Sequence, residues 1–421
     1  MRRQCFIYSF FIICSLVAMV FTNNASAQVL DYEVIQPKLP KKKYKRSRSS
    51  SKQQKRNSKS ARMNALRRGT NSNTVRIVVG GESDTQIRIA QDLKNVLNEQ
   101  ETSNRMALRI IPLMGEGGKQ NVLDVMFLHG VDLAIVQTDI LAHLRGENWS
   151  MYNDIFERVH YIAKLYNAEW HVIGSRKITN IRQLNGKTIN IAKPGSGTHI
   201  TSSNILELLG VRVKYTHYAH TVALEKLRKG ELDAIAWIGG APIDTIRTIR
   251  SDEGLHFIPV TFFNDDYFKT PLKNVLETFY LPTLLQHEQY PNLIKKGETV
   301  PTAANGVVLA VFNWSLSRNE KRKLKVRNFI ERLVGKFDKF MESGRHPKWR
   351  EINLASTIPE WKRSDLAKDL IGQGAEKNAV GVSYKVFLKM LELKSDADPK
   401  ELSEDEKMKQ YQSFLKYLQS R

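Results

Sequence analysis

Three short loops hold the residues with which this 421-residue chain could handle a small polar molecule. Gly80 to Thr85 offers Gly81, Ser83 and Thr85. Met114 to Gln120 is rich in glycine, and Lys193 to Thr198 offers Gly195, Ser196, Gly197 and Thr198. Each loop is expected to end a strand and open a helix. The first amides of a helix have no intrahelical partner and its dipole adds positive potential, so such a place favours an anion. Glycines let the backbone approach closely, and the hydroxyls can add hydrogen bonds. Gln137 and Thr138, at the end of another strand, are expected neighbours. Trp237 is expected either as a wall of the same cleft or as plain core.

Covalent and metal chemistry find little support in the same sequence. Gly115-Glu-Gly-Gly-Lys119 resembles a phosphate loop, but Gln120 stands where a magnesium-holding Ser or Thr is required. Gly195-Ser196-Gly197 lacks the spacing of a nucleophile elbow, and Ser83 has no following glycine at the needed position. His217 and His220 could share a metal but no third ligand is evident, His287-Glu288 lacks a second histidine, and Asp265-Asp266 reads as a loop pair. The two cysteines, Cys5 and Cys14, lie in the first 27 residues. The expectation is therefore no catalytic residue, no metal, no cofactor and no enzyme.

The elements that would position these loops follow a regular alternation. Val75 to Val79, Ala107 to Leu113 and Asp132 to Gln137 are short β-branched or apolar runs, separated by helical patterns such as Ile87, Ala90, Leu93 and Leu97. Thr188 to Ala192, Val211 to Tyr215, Leu232 to Ile238 and His256 to Val260 repeat the theme, with Glu169 to Ile173 as a crossing strand. Buried strands alternating with helices imply parallel sheets covered on both faces. The expected fold class is α/β: two lobes, each a mainly parallel sheet flanked by helices, with a helical C-terminal extension. Lobe one is expected to take residues 74–170 and 265–421, and lobe two 171–264. Ser317-Arg-Asn-Glu320 and Ser403-Glu-Asp-Glu406 read as capping boxes within a largely helical last third.

The N-terminus speaks of export. Arg2 and Arg3 precede an apolar run from Cys5 to Phe21, and Ala25-Ser-Ala27 follows as a cleavage pattern. A signal peptide over residues 1–27 and a periplasmic location are expected. Residues 34–74 then carry fourteen Lys and Arg and no acid, much of the net charge of +22. With few apolar residues, the segment 28–73 is expected to be a disordered basic tether. Its expected roles are solvated spacer or electrostatic attachment to an anionic envelope surface. Export argues against nucleic acid as a partner.

Four runs together resemble a known family: Asp132-Leu-Ala-Ile-Val-Gln-Thr-Asp139, Glu169-Trp-His171, Leu184 to Thr198 with Lys-Pro-Gly-Ser-Gly-Thr, and Gly230 to Pro242 with Gly-Gly-Ala-Pro. They are similar to the TAXI family of solute-binding proteins, over roughly residues 75–345. The resemblance implies a periplasmic-binding-protein fold with two lobes and two crossings. It also implies an organic anion as ligand and the membrane permease of a TRAP-type transporter as partner. Departures from the family pattern are Glu82 and Asp84, two acids in the first loop, and the chain outside the shared part. A ligand sensor for a membrane signalling protein, or an enzyme on the same fold, are the alternative readings.

Overall fold

The computed structural model describes residues 50–81, 84–98, 107–146, 154–260, 279–358 and 361–372. By contacts the chain divides into residues 1–59 and 60–421. The sequence between Thr74 and Gln137 lays down β1 (Thr74–Gly80), α2 (Asp84–Leu97), β2 (Arg109–Gly115), α3 (Gly118–Phe127) and β3 (Leu133–Gln137), after a first helix α1 (Ser50–Ser72). The strands are apolar because both faces are covered: Val75, Ile77 and Val79 pack on one side, while Val78 packs with Val122 and Ala134 on the other. β1 pairs in parallel with β2 and with β3.

Helices α4 (Thr138–Gly146) and α5 (Ile155–Arg158) lead into β4 (Val159–Ser175), a strand of 17 residues. A second parallel set follows: β5 (Thr188–Asn190), α6 (Gly197–Leu208), β6 (Lys214–Thr216), α7 (His220–Arg228) and β7 (Ala234–Gly239), then α8 (Asp244–Arg247) and β8 (Leu255–Phe257). The chain returns through β9 (Tyr280–Gln286) and β10 (Thr299–Phe312), then α9 (Glu320–Gly335) and α10 (Asp365–Gly372). The ten strands form one sheet in the order β2-β1-β3-β10-β4-β7-β5-β6, with β8 beside β4 and β9 beside β10.

Two antiparallel strands therefore stand between two parallel halves. β10 pairs with β3 and with the first part of β4, whose second part turns its hydrogen bonds to β7. Glu169 sits at that changeover, opposite Ala304 on one side and Gly239 on the other. Helix α9 is anchored to the first half through buried Asp132. The carboxylate receives Arg322 at 3.2 Å, Lys325 at 2.7 Å and the Arg76 amide at 3.0 Å. Trp349 follows α9 in the chain, packs on Phe340 and donates its indole N–H to Asp92.

The described part of the last third holds strands as well as the expected helices. Residues 279–312 supply β9 and β10, and the run Val307-Val-Leu-Ala-Val is fully buried, as a strand covered on both faces requires. The cap of α9 is also shifted: Asn319 accepts from the Arg322 amide, while Ser317 accepts from the Asn319 amide. Ser403 to Glu406, residues 1–27 and the 264/265 boundary lie outside the described residues. Residues 50–72 form helix α1 where disorder was expected. Its Lys, Arg, Gln and Ala favour helix, and no proline interrupts it.

Candidate functional site

The glycine loops meet across the two halves. The Lys119 amide, at the start of α3, donates to the Gly195 carbonyl at 3.1 Å, and Lys193 pairs with Glu116. A side chain at Gly118 would strike the Gly195 carbonyl and the Gly197 amide, so only glycine permits this approach. Gly81 donates its amide to Gly115 at 2.8 Å, joining the first loop to the second. Ser83 and Glu82 lie outside the described residues.

Helix α6 points its start at the end of β3. Ser196 caps it, its hydroxyl accepting from the His199 amide at 3.2 Å, and Gly195 takes a positive φ of 80° just before. The Gln137 amide group lies directly on Gly197, where a Cβ would collide with it. Thr198 is buried; its hydroxyl accepts from the Ile238 amide at 3.3 Å and lies 3.4 Å from His220 Nε2. Trp237 is 2 % exposed and stacks on His220 with centroids 3.8 Å apart, which places it in core rather than on a wall. Burial lowers the His220 pKa to about 3, so this stacked ring is neutral.

A second bridge runs from the first loop to the end of β7. Thr85 Oγ1 donates to the Gly240 carbonyl at 2.8 Å. Gly240 is packed so closely on Thr85, Tyr166 and Lys348 that a Cβ would stand 2.9 Å from each. Glu169 accepts from the Ala241 amide at 2.7 Å and from Lys348 at 2.5 Å, and Lys348 also reaches Glu351 at 2.8 Å. Burial alone would discharge Lys348, but Glu169 and Glu351 outweigh it and hold the amine cationic. Pro242 follows a cis peptide bond, and the helix beyond it starts only at Asp244.

Not every polar group here is satisfied. Lys164 on β4 is half-buried, and no hydrogen bond or ion pair joins its amine to any described residue. Its Cε lies beside Gly306 together with the Thr138 side chain. Burial lowers its pKa to about 8, with Glu351 pulling it up and Lys348 pushing it down. Gln137 Oε1, Asp139 Oδ1 and Asn305 Oδ1 are also buried without a hydrogen-bond partner among the described residues. Asp139 Oδ2 accepts from Thr201 on α6 at 2.7 Å and from Tyr280 at 3.0 Å, and Asn305 donates to the same Thr201 hydroxyl at 3.2 Å. Burial raises the Asp139 pKa despite these donors.

The sequence reading thus names Gly81, Thr85, Gln137, Thr138 and Gly195 to Thr198, which the fold gathers around the strand ends. It misses Lys164, Asp139, Glu169 and Lys348. Lys164 had a signal, a single cation within the apolar run Tyr161-Ile-Ala-Lys-Leu-Tyr166. Lys348 had none, being 179 residues from Glu169. Among the described residues no group of three or more His, Cys, Asp or Glu could hold a metal. His217 hydrogen-bonds the Ala192 carbonyl at 2.8 Å.

Comparisons with known proteins bear on this architecture. A family model, the NMT1-like family, matches residues 77–313. Among similar solved structures, the substrate-binding protein AbpA of an amino acid ABC transporter from Streptococcus pneumoniae, bound to L-arginine, is 11% identical with a TM-score of 0.36. It covers 72% of this chain and 97% of its own. The Candida albicans CA3427 gene product, described as having the generic periplasmic binding protein fold, is 14% identical with a TM-score of 0.39, covering 81% and 95%. Periplasmic binding protein BugD is 14% identical with a TM-score of 0.40, covering 72% and 95%. The fold is a mixed α/β arrangement, its central sheet flanked by helices.

Proposed function

The chain belongs to the NMT1-like family, and from that premise we propose that it is an extracytoplasmic solute-binding receptor for a small organic anion. The carrying observation is the convergence of strand-end loops from both parallel halves, with Lys164 beside Thr138 at the end of β3, its amine without a hydrogen-bond or ion-pair partner among the described residues. Helix starts and an amine that no described carboxylate pairs both favour an anionic group. The two halves act as lobes, 74–170 with the returning chain and 171–264, and β4 and β10 are the crossings between them. Ligand bridging the lobes stabilises the closed form, in which Lys119 meets Gly195 and Thr85 meets Gly240. A membrane permease of the TRAP type reads that closed form, as the TAXI-like runs imply. The ligand contacts are Lys164, Thr138 and Gln137 from the first lobe with Gly195 to Thr198 from the second.

The test is direct. Protein purified under mild conditions is denatured and the released small molecules are identified by mass spectrometry. A stoichiometric carboxylate or other organic anion is the expected result. A neutral or cationic metabolite would overturn the anion assignment, and steady conversion of the bound molecule would replace the receptor by an enzyme.

A further inference from the structure

Helix α1 segregates its charge. From Asn57 to Arg68 every residue is exposed. At roughly 100° per residue, Lys59, Arg62, Met63, Leu66 and Arg67 fall within an arc of about 140°. The other side holds Asn57, Ser60, Ala61, Asn64 and Ala65, with Arg68 folded back to the Asn64 carbonyl at 3.2 Å. Met63 and Leu66 are 65% and 55% exposed, and they sit in the middle of the cationic arc rather than opposite it. No acid occurs anywhere from Val34 to Gly81, so nothing in this stretch of sequence neutralises the arc.

We infer that this face of α1 docks the protein on an anionic lipid surface, the cations on headgroup phosphates and the Met63 and Leu66 side chains at the acyl boundary. Charge complementarity selects an anionic partner. The two large apolar side chains between the cations then select lipid over a soluble polyanion. A nucleic acid or polysaccharide would bury neither of them, whereas a bilayer interface takes apolar centres flanked by Lys and Arg whose stems reach outward. The inference is independent of the ligand site, because it uses no residue of that site. A receptor so docked would be held at the membrane that carries its permease.

Vesicle co-sedimentation of the purified protein tests it, with phosphatidylglycerol and phosphatidylcholine vesicles at low and at physiological salt. Binding should favour phosphatidylglycerol at least tenfold and weaken as salt rises. The variant Met63→Ser/Leu66→Ser should lose about tenfold in binding to phosphatidylglycerol although its charge is unchanged. Lys59→Gln/Arg62→Gln/Arg67→Gln should lose more, about fivefold per cation, while Arg68→Gln changes binding by less than threefold. Unchanged thermal unfolding in each variant certifies the fold. Equal binding to both vesicles overturns the inference. So does a Met63→Ser/Leu66→Ser variant that binds like wild type, and so does heparin displacing the protein from vesicles while binding both forms equally.

Discussion

Two lysines stand near the joint of the two halves, and their surroundings differ in a way that separates structure from function. Lys348 is almost fully buried and fully answered: Glu169 and Glu351 receive its amine, and Glu169 also ties the Ala241 amide. Lys164 lies close enough to feel Glu351 and Lys348, yet no described carboxylate receives its amine. Gln137, Asp139 and Asn305 each keep a buried oxygen without a hydrogen-bond partner among the described residues. A buried polar group without a partner costs stability, so the paired lysine reads as a fastener and the unpaired one as a group held ready for a ligand. Charge that is satisfied within the fold holds the fold; charge left open there points outward to a partner.

The sharpest way to break this contrast is to remove the fastener. Glu169→Ala leaves Lys348 buried without its main partner, and such a loss costs about 3–5 kcal/mol. Urea unfolding should show it, and Glu169→Ala/Lys348→Met should recover a large part. A Glu169→Ala protein as stable as wild type would mean that the pair contributes nothing.

Removing the unpaired amine should do the reverse. Lys164→Met should leave the unfolding midpoint unchanged or raised, while weakening an anionic ligand about 10- to 150-fold, the value of one charged hydrogen bond of about 1.5–3 kcal/mol. Calorimetry and denaturation on the same samples separate the two effects. Loss of stability with affinity intact would make Lys164 structural.

A pH series distinguishes the two lysines without mutation. The Lys164 pKa is lowered to about 8, so its charge is present below pH 8 and lost as the pH rises through it. Anion affinity should be flat from pH 6 to 7 and fall by up to about tenfold per pH unit above 8. The Lys348 pKa is raised, so its contribution to folding persists through that window. Affinity that holds level to pH 10 would remove Lys164 from the site.

The smallest expected effect is at the cap of α6. Ser196→Ala removes the acceptor for the His199 amide and should cost about 1 kcal/mol of stability. Its effect on ligand affinity should stay below that of Lys164→Met, since the hydroxyl is already engaged. A larger loss of affinity than at Lys164 would move the anion site to the loop itself.

Much of this arrangement is legible in local sequence. Short apolar runs mark β1, β3, β5 and β7, with glycine closing β1 and β7, and the glycines mark the loops, because both signals are confined to a few neighbouring residues. The partnerships are not legible in that way. Thr85 with Gly240, Asp139 with Thr201 and Glu169 with Lys348 are tertiary contacts between residues 62 to 179 positions apart. β10 escaped for a different reason: a long buried run beside a helix-capping pattern does not declare its period. Residues 50–72 are helical although disorder was expected there, because composition reports what cannot form a core, whereas helix propensity needs no core.

One titration addresses most directly whether an anion is bound at the Lys164 amine. The molecule released from the protein is titrated calorimetrically at pH 7 into wild type and Lys164→Met. Wild type should show one site per chain and Lys164→Met an affinity at least tenfold lower, with the variant unfolding at the same or a higher denaturant concentration. Equal affinity in the two proteins would contradict it.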